Sequence, residues 1–237
     1  MRGFPRILPL FVCLLTFSCR DVIFNNPLDP NASRPEVFVI KTMEVEVKGE
    51  GGLAFDGEKL WKGIESGQTY ALETEAGQIL KSFSLPPGLK GLAFYEGKFY
   101  ISYPQERTIR VVDALSGVVI DRIIMKTASP GYLAVFEGKI VFFDESTGSF
   151  MEYDFGEKEV RKLFSAQGFE VAGVDCYQGK IMVAERASLV LYLFETDGRI
   201  FASYSLPTAS PSGITVDESD FIYIFSKDGK IYKASLQ

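Results

Sequence analysis

The sequence predicts an all-β fold, a five-bladed β-propeller, and three observations point to it. A motif recurs as "GLAFDGEKLW" from Gly52, "GLAFYEGKFY" from Gly91, "YLAVFEGKIV" from Tyr132, "GVDCYQGKIM" from Gly173 and "GITVDESDFIY" from Gly213. The small residue at its turn (Gly57, Gly97, Gly138, Gly179, Ser219) returns every 40 or 41 residues. Short β-rich runs at that period are propeller blades, because helical pairs would show long 3.6-residue periodicity and none is visible. Finally, the last repeat lacks an outer strand, and a strand without a blade precedes the first repeat.

Taken in order, the chain opens with "MRGFPRILPLFVCLLTFSC". Arg2 and Arg6 precede an apolar block, Ile7 to Phe17, which ends on Ser18-Cys19. A basic start, a short apolar run and a small residue before the cut describe a secretory signal over residues 1–19. The run is too short to span a bilayer comfortably. The cysteine at the cut resembles a bacterial lipoprotein lipobox, which implies that the thiol of Cys19 receives diacylglycerol. Thr16 stands where such families usually carry leucine, with Leu15 one place further back. Cys13 is a rival site behind Val12, a poor cleavage residue, and an ordinary signal peptide with an incidental cysteine is the alternative.

Residues 20–36, "RDVIFNNPLDPNASRPE", are polar, rich in Pro and Asn, and without a periodic apolar face, so they read as an extended tether. An Asn-Pro-Leu-Asp-Pro segment at this place also resembles the start of many bacterial envelope lipoproteins. The localisation implied is a lipid-anchored place at the bacterial cell envelope, on the outer membrane, its periplasmic face or the cell surface. Acyl chains at about 0.8 kcal/mol per buried methylene hold such a protein firmly. With Cys13 removed and Cys19 acylated, Cys176 is the remaining thiol, expected to be buried and inert in an apolar strand.

Residues 37–237 are expected to form the propeller. In the second blade, "GLAFY", "KFYISY", "TIRVVDA" and "VVIDRIIM" read as strands separated by "EG", "PQER" and "LSG". Aromatic and β-branched residues fill the strands, while Gly, Asp, Glu and Ser gather at the turns. Alternation looks clearest in the outer strands, where one face packs and the other meets water. The fifth blade stops at "KIYKASL", and the orphan "VFVIKTMEVEVKG" contains "KTMEVEV", which aligns with "ILKSFSL" of the first blade. The N-terminal strand is therefore expected to complete the C-terminal blade and close the ring, removing an exposed edge. Trp61, Tyr100 and Tyr223 fall at one strand position, with Val141 and Met182 in the other blades, and are expected to pack between blades.

Composition narrows function. Nearly half the residues (46%) are apolar, enough for a large core. A formal charge of −6 and no basic run longer than a pair argue against nucleic acid. The count of histidine is 0, which removes the commonest general base and transition-metal ligand. A Ser/His/Asp triad is therefore impossible, and no Gly-x4-Gly-Lys-Ser/Thr loop occurs.

The repeats resemble NHL-type and SMP-30-type propeller blades over about residues 45 to 237. That resemblance implies the fold and leaves activity open, since propellers host binding, hydrolysis and scaffolding alike. The ring face where propeller sites generally sit would collect Glu50, Lys90, Pro130, Glu170 and Pro211 from one loop set. A second set would supply Glu65, Tyr103, Asp144, Glu145, Glu185, Arg186 and Lys227. At the close of the second strand, successive blades offer Ile64, Tyr103, Asp144, Glu185 and Phe225. The candidate binding face is Glu50, Glu65, Tyr103, Tyr132, Asp144, Glu185 and Arg186, with Tyr103 and Tyr132 expected to be exposed. Asp144 and Glu185 suit a hard cation, an acid/base pair, or simply the turn amides.

The SMP-30-like lactonases hold a divalent metal through Glu, Asn and Asp; Glu50 matches, but Asn occurs only at Asn25, Asn26 and Asn31. Glutaminyl cyclotransferases of the plant type begin Phe-Thr-Glu/Gln-Gly-Leu, where this chain has Glu50-Gly51-Gly52-Leu53. The expected function is a monomeric, non-catalytic lipoprotein that needs no cofactor. It would bind a protein, peptide or glycan at the envelope and touch the membrane only through its lipid. The alternative is a metal-dependent hydrolase or lactonase using a cation such as calcium on Glu50, Asp144 and Glu185.

Overall fold

Glu96-Gly97, Glu137-Gly138 and Gln178-Gly179 each hold two consecutive positive φ angles, from 48° to 75°. Such two-residue turns match the right-handed twist of the strands they join, and glycine at the second place makes them cheap. They open three of the five blades of a computed structural model that describes Leu28, Asp29 and residues 32–236. Cys13, Cys19, the signal region and most of the segment read as a tether lie outside the described residues.

Strand β1 (Phe38–Glu44) precedes the first full blade, which is β2 (Leu53–Phe55), β3 (Leu60–Gly63), β4 (Gln68–Leu72) and β5 (Ile79–Ser84). The second blade is β6 (Leu92–Tyr95), β7 (Lys98–Tyr103), β8 (Thr108–Asp113) and β9 (Val119–Ile124). The third is β10 (Pro130–Phe136), β11 (Lys139–Asp144), β12 (Ser149–Asp154) and β13 (Val160–Ser165). The fourth is β14 (Val171–Tyr177), β15 (Lys180–Glu185), β16 (Val190–Phe194) and β17 (Ile200–Ser205). The fifth holds β18 (Pro211–Val216), β19 (Ile222–Ser226) and β20 (Lys230–Ser235), and β1 is its outer strand, antiparallel to β20. The expected five-bladed ring and its closure are thus what the chain forms. No helix among the described residues is long and apolar enough to cross a membrane.

The closing strand pairs two residues away from the expected alignment. Glu44 opposes Lys230 as Ser84 opposes Gln68, and the N–H of Val45 reaches Gly229 O as that of Leu85 reaches Gly67 O. Val45, not Val47, therefore stands where Leu85 does. Strand patterns have period two, so a shift of two keeps Met43, Val45 and Val47 on the same buried face, and hydrophobicity alone cannot separate the two registers. Ahead of β1, Ser205 donates to Pro35 O and accepts from the N–H of Val37, laying the chain along the edge of β17.

The core lies in the seams between blades. Trp61 packs across the first seam against Phe99, with ring centroids 4.7 Å apart, and against Phe83 of its own blade at 5.6 Å. Met43, Val45 and Val47 join Leu53, Tyr223 and Phe225 in the seam that closes the ring. Each such side chain contributes about 1.5–3 kcal/mol by leaving water. Trp61, Tyr100 and Tyr223 are all buried, and Asp56 and Asp217 take the polar ends of Trp61 and Tyr223. The outer strands alternate less than expected. In β5 only Phe83 leaves the exposed class, because a blade rim is wet on both faces.

The inner strands converge on the axis, and this explains the glycine that leads the repeat. A Cβ on Gly52 would stand 2.1 Å from Leu92 N, and one on Gly51 would stand 2.1 Å from Gly63 O. Gly51 also holds φ at +144°, a conformation that side chains rarely adopt.

Candidate binding face at the channel mouth

One backbone clamp repeats around the ring and decides which side chains meet. The residue just past the second strand donates its N–H to a carbonyl in the linker entering the same blade. Glu65 thus reaches Glu50 O, Glu145 reaches Ser129 O, Arg186 reaches Glu170 O and Lys227 reaches Ser210 O, all at 2.9–3.0 Å. This brings Glu65, Glu145, Arg186 and Lys227 to equivalent places around one end of the channel, together with Glu50 and Lys90 from the linkers.

Glu50 is the hub. Its carboxylate meets Lys90 at 3.4 Å, Arg186 at 3.3 Å, and Lys227 in a short hydrogen bond. Burial alone would raise its pKa. The Lys227 hydrogen bond and the charges of Arg186, Lys90 and Lys227 outweigh burial and hold the carboxyl at about 2, so it is ionised at any physiological pH. Glu145 is shifted the other way. Burial pushes its carboxyl up, Lys90 opposes this, and the neighbouring Asp144, Glu65 and Glu50 add to it. The mouth therefore holds two carboxylates whose proton affinities are pushed in opposite directions.

Asp144 and Glu185 do not belong to this cluster, which corrects their expected direction. Asp144 accepts from the N–H groups of Ser129 and Ser146 and from the hydroxyls of Ser146 and Thr147, at 2.6–3.1 Å. Glu185 accepts from the N–H groups of Glu170, Ala187 and Ser188 and from the Ser188 hydroxyl. In both, burial raises the pKa but these donors prevail and lower it. Of the readings left open, turn capping is the geometry observed. The side chain closing the strand turns back into its own loop, and its successor faces the mouth. In the fifth blade the closing residue is Ser226, not Phe225, because β18 and β19 are joined by five residues where the second to fourth blades use two. Among the described residues, no group of three or more His, Cys, Asp or Glu is placed to hold a metal ion.

Both tyrosines expected to be exposed are buried. Tyr103 is 1% exposed, with its hydroxyl on Pro86 O at 3.2 Å and the Arg110 guanidinium 4.0 Å above its ring. Tyr132 is 2% exposed and sits in the floor of the mouth, under the Lys90 ammonium at 5.3 Å. Burial raises its pKa, and Arg186, Glu50 and Glu145 are the charges around it.

Lys62 does not stand out in the sequence. It is fully buried in β3, where its ammonium donates to Gly51 O at 2.8 Å and to Ser212 O, and lies 4.3 Å over the Phe225 ring. Burial drives its pKa well below the ordinary lysine value. It bridges the first and fifth blades directly beneath Glu50. One signal marks it: Ile101, Phe142, Val183 and Ile224 occupy the same place in the other blades.

Along the axis, the inner strands enclose a cavity of about 110 Å³ whose side chains are apolar except for Asp175 and Thr215. That is room for a few waters. Burial holds Asp175 at about 6, against donation from Cys176 N–H, Thr215 hydroxyl and Val216 N–H. Burial likewise pushes the Cys176 thiol far up, leaving it in its unreactive protonated form.

No protein-family model matches the chain, and no curated protein matches it. Among solved structures it is similar to glutaminyl cyclase from Myxococcus xanthus, at 16% identity and a TM-score of 0.74, over 86% of this chain and 97% of that one. It is also similar to streptogramin B lyase, at 12% identity and a TM-score of 0.55, over 83% of this chain and 97% of the other. The WD40 repeats of RRP9 match at 12% identity and a TM-score of 0.54, covering 78% of this chain and 79% of theirs. At such identities the likeness is one of fold, a β-propeller, on which unrelated activities are carried.

Proposed function

We propose that this chain is a non-catalytic binding lipoprotein. Lipid on Cys19 holds it at the bacterial cell envelope, and the face around the channel mouth binds a protein, peptide or glycan. The observation that carries this reading is the Glu50 hub, which gathers Lys90, Arg186 and Lys227 from three other blades onto one polar surface. A rigid ring with a charged rim and an axial cavity too small for a substrate is suited to recognition. The hydrolase alternative would need Glu50, Asp144 and Glu185 to share a cation, whereas each is already saturated by separate partners.

Envelope extracts passed over the immobilised full chain test the reading. A specific partner should be retained by the unaltered protein, lost when Lys90→Met and Arg186→Met are combined, and retained by Glu218→Gln at the opposite end of the channel. Retention unaffected by the mouth substitutions, or no retention beyond lipid-driven background, would overturn it. Calorimetry with calcium should show no heat that depends on Asp144 or Glu185; heat abolished by Asp144→Asn would favour the hydrolase.

A further inference from the structure

The mouth holds donors that its own acceptors leave poorly satisfied. Three cations, Lys90, Arg186 and Lys227, share the Glu50 carboxylate, and among the described residues no second carboxylate is ion-paired with them. Several donors are also underused. Arg186 reaches Glu50 at 3.3 Å and Pro211 O at 3.5 Å, both long, and its buried Nε has no partner. Lys90 makes one long contact, at 3.4 Å, with Glu50. The Tyr132 hydroxyl is buried without a hydrogen bond of ordinary length and angle, and the Arg186 side chain stands close enough only to interact with it weakly. Buried polar groups are rarely left without a well-formed hydrogen bond, and two in one cluster imply a missing acceptor.

Resting on the binding reading above, we propose that the mouth receives a free carboxylate of its ligand, seated between Arg186, Lys90 and the Tyr132 hydroxyl. Glu50 is the internal carboxylate that holds the cations together when the ligand is away. A guanidinium with a free Nε edge matches a planar carboxylate with two parallel bonds. A monoanion fits better than a dianion, because Glu50 and Glu145 flank the place and repel a second negative charge. A peptide chain end and a uronic acid both supply this chemistry.

Titration of the full chain with N-acetyl-dialanine and its C-terminal amide, and with D-glucuronate and D-glucose, tests the proposal. The carboxylates should bind and their neutral counterparts should not. Whichever carboxylate binds more tightly identifies the source. Arg186→Met should weaken binding about tenfold or more, and Tyr132→Phe about fivefold. Glu50→Gln should strengthen it several-fold by freeing the cations. Tyr132→Phe should also raise the melting temperature of the free protein, since it deletes a poorly bonded buried hydroxyl, an effect opposite to its loss of affinity. Equal binding of acid and amide, binding untouched by Tyr132→Phe and Arg186→Met, or tighter binding of inorganic phosphate than of either carboxylate would overturn the proposal. If envelope partners are still retained at the mouth while no carboxylate binds, this inference fails and the binding reading stands. Carboxylate binding with no retained partner would support the carboxylate seat and count against an envelope partner.

Discussion

Replacing Glu50 by glutamine keeps the size of the side chain and removes the one charge that Lys90, Arg186 and Lys227 share. Its carboxyl, ordinarily at 4.5, is held at about 2 in the folded chain. At about 1.4 kcal/mol for each tenfold in proton affinity, this corresponds to a ceiling of roughly 3 kcal/mol. The side chain is 27% exposed, so water screens the cluster, and roughly 1–2 kcal/mol is the expected contribution at neutral pH. A folded-state pKa below the unfolded one stabilises above the unfolded value and is lost as pH falls through the folded value. Glu50→Gln should therefore melt roughly 3–6 °C below the unaltered chain at pH 7. The gap should start to close below about pH 4.5 and vanish near pH 2. Thermal unfolding at pH 7, 5, 4 and 3 measures it, and added salt should narrow the gap at pH 7 as it screens the exposed part of the cluster. A gap that stays constant from pH 7 to 3, or no gap at pH 7, would refute the electrostatic account of the hub.

Glu145→Gln should act with the opposite sign, because burial raises its carboxyl pKa: it should stabilise at pH 7 and make no difference in acid, where both states are protonated. Met43→Ala, at the ring-closing seam, should cost about 2–5 kcal/mol in denaturant unfolding, and deletion of residues 37–49 should cost more; a truncated chain that melts unchanged would disprove the closure. Asp144→Asn should lose about 1–2 kcal/mol of stability as its turn unravels, while carboxylate affinity at the mouth stays within error. Gly52→Ala should destabilise strongly, since its new methyl would meet Leu92 N at 2.1 Å.

Much of the fold is legible because the blades repeat a local code: an apolar inner strand with a leading glycine throughout, and a two-residue turn with positive φ in three of the five. Sequence and structure part where a one-residue offset changes the face of a strand. Asp144 and Glu185 read as mouth residues together with Glu145 and Arg186, whereas only the latter two, one step on, reach it. Tyr103 sits at a strand end, where exposure is the ordinary expectation, yet an Arg110 side chain covers it. Lys62 is hidden because lysine in a strand reads as solvent-facing until its blade-to-blade equivalents are compared.

Blade number, ring closure and the glycines of the inner strands were determined by sequence alone, since each depends on contacts within some forty residues or on a missing strand that only one segment can replace. The make-up of the mouth was decided by tertiary structure. The loop positions place Glu50, Lys90, Arg186 and Lys227 on one ring face, but they lie up to 177 positions apart and nothing local says that they converge on Glu50. Only the circling of the blades brings three cations to one carboxylate, and only their packing buries the Tyr132 hydroxyl beside Arg186 without a well-formed hydrogen bond.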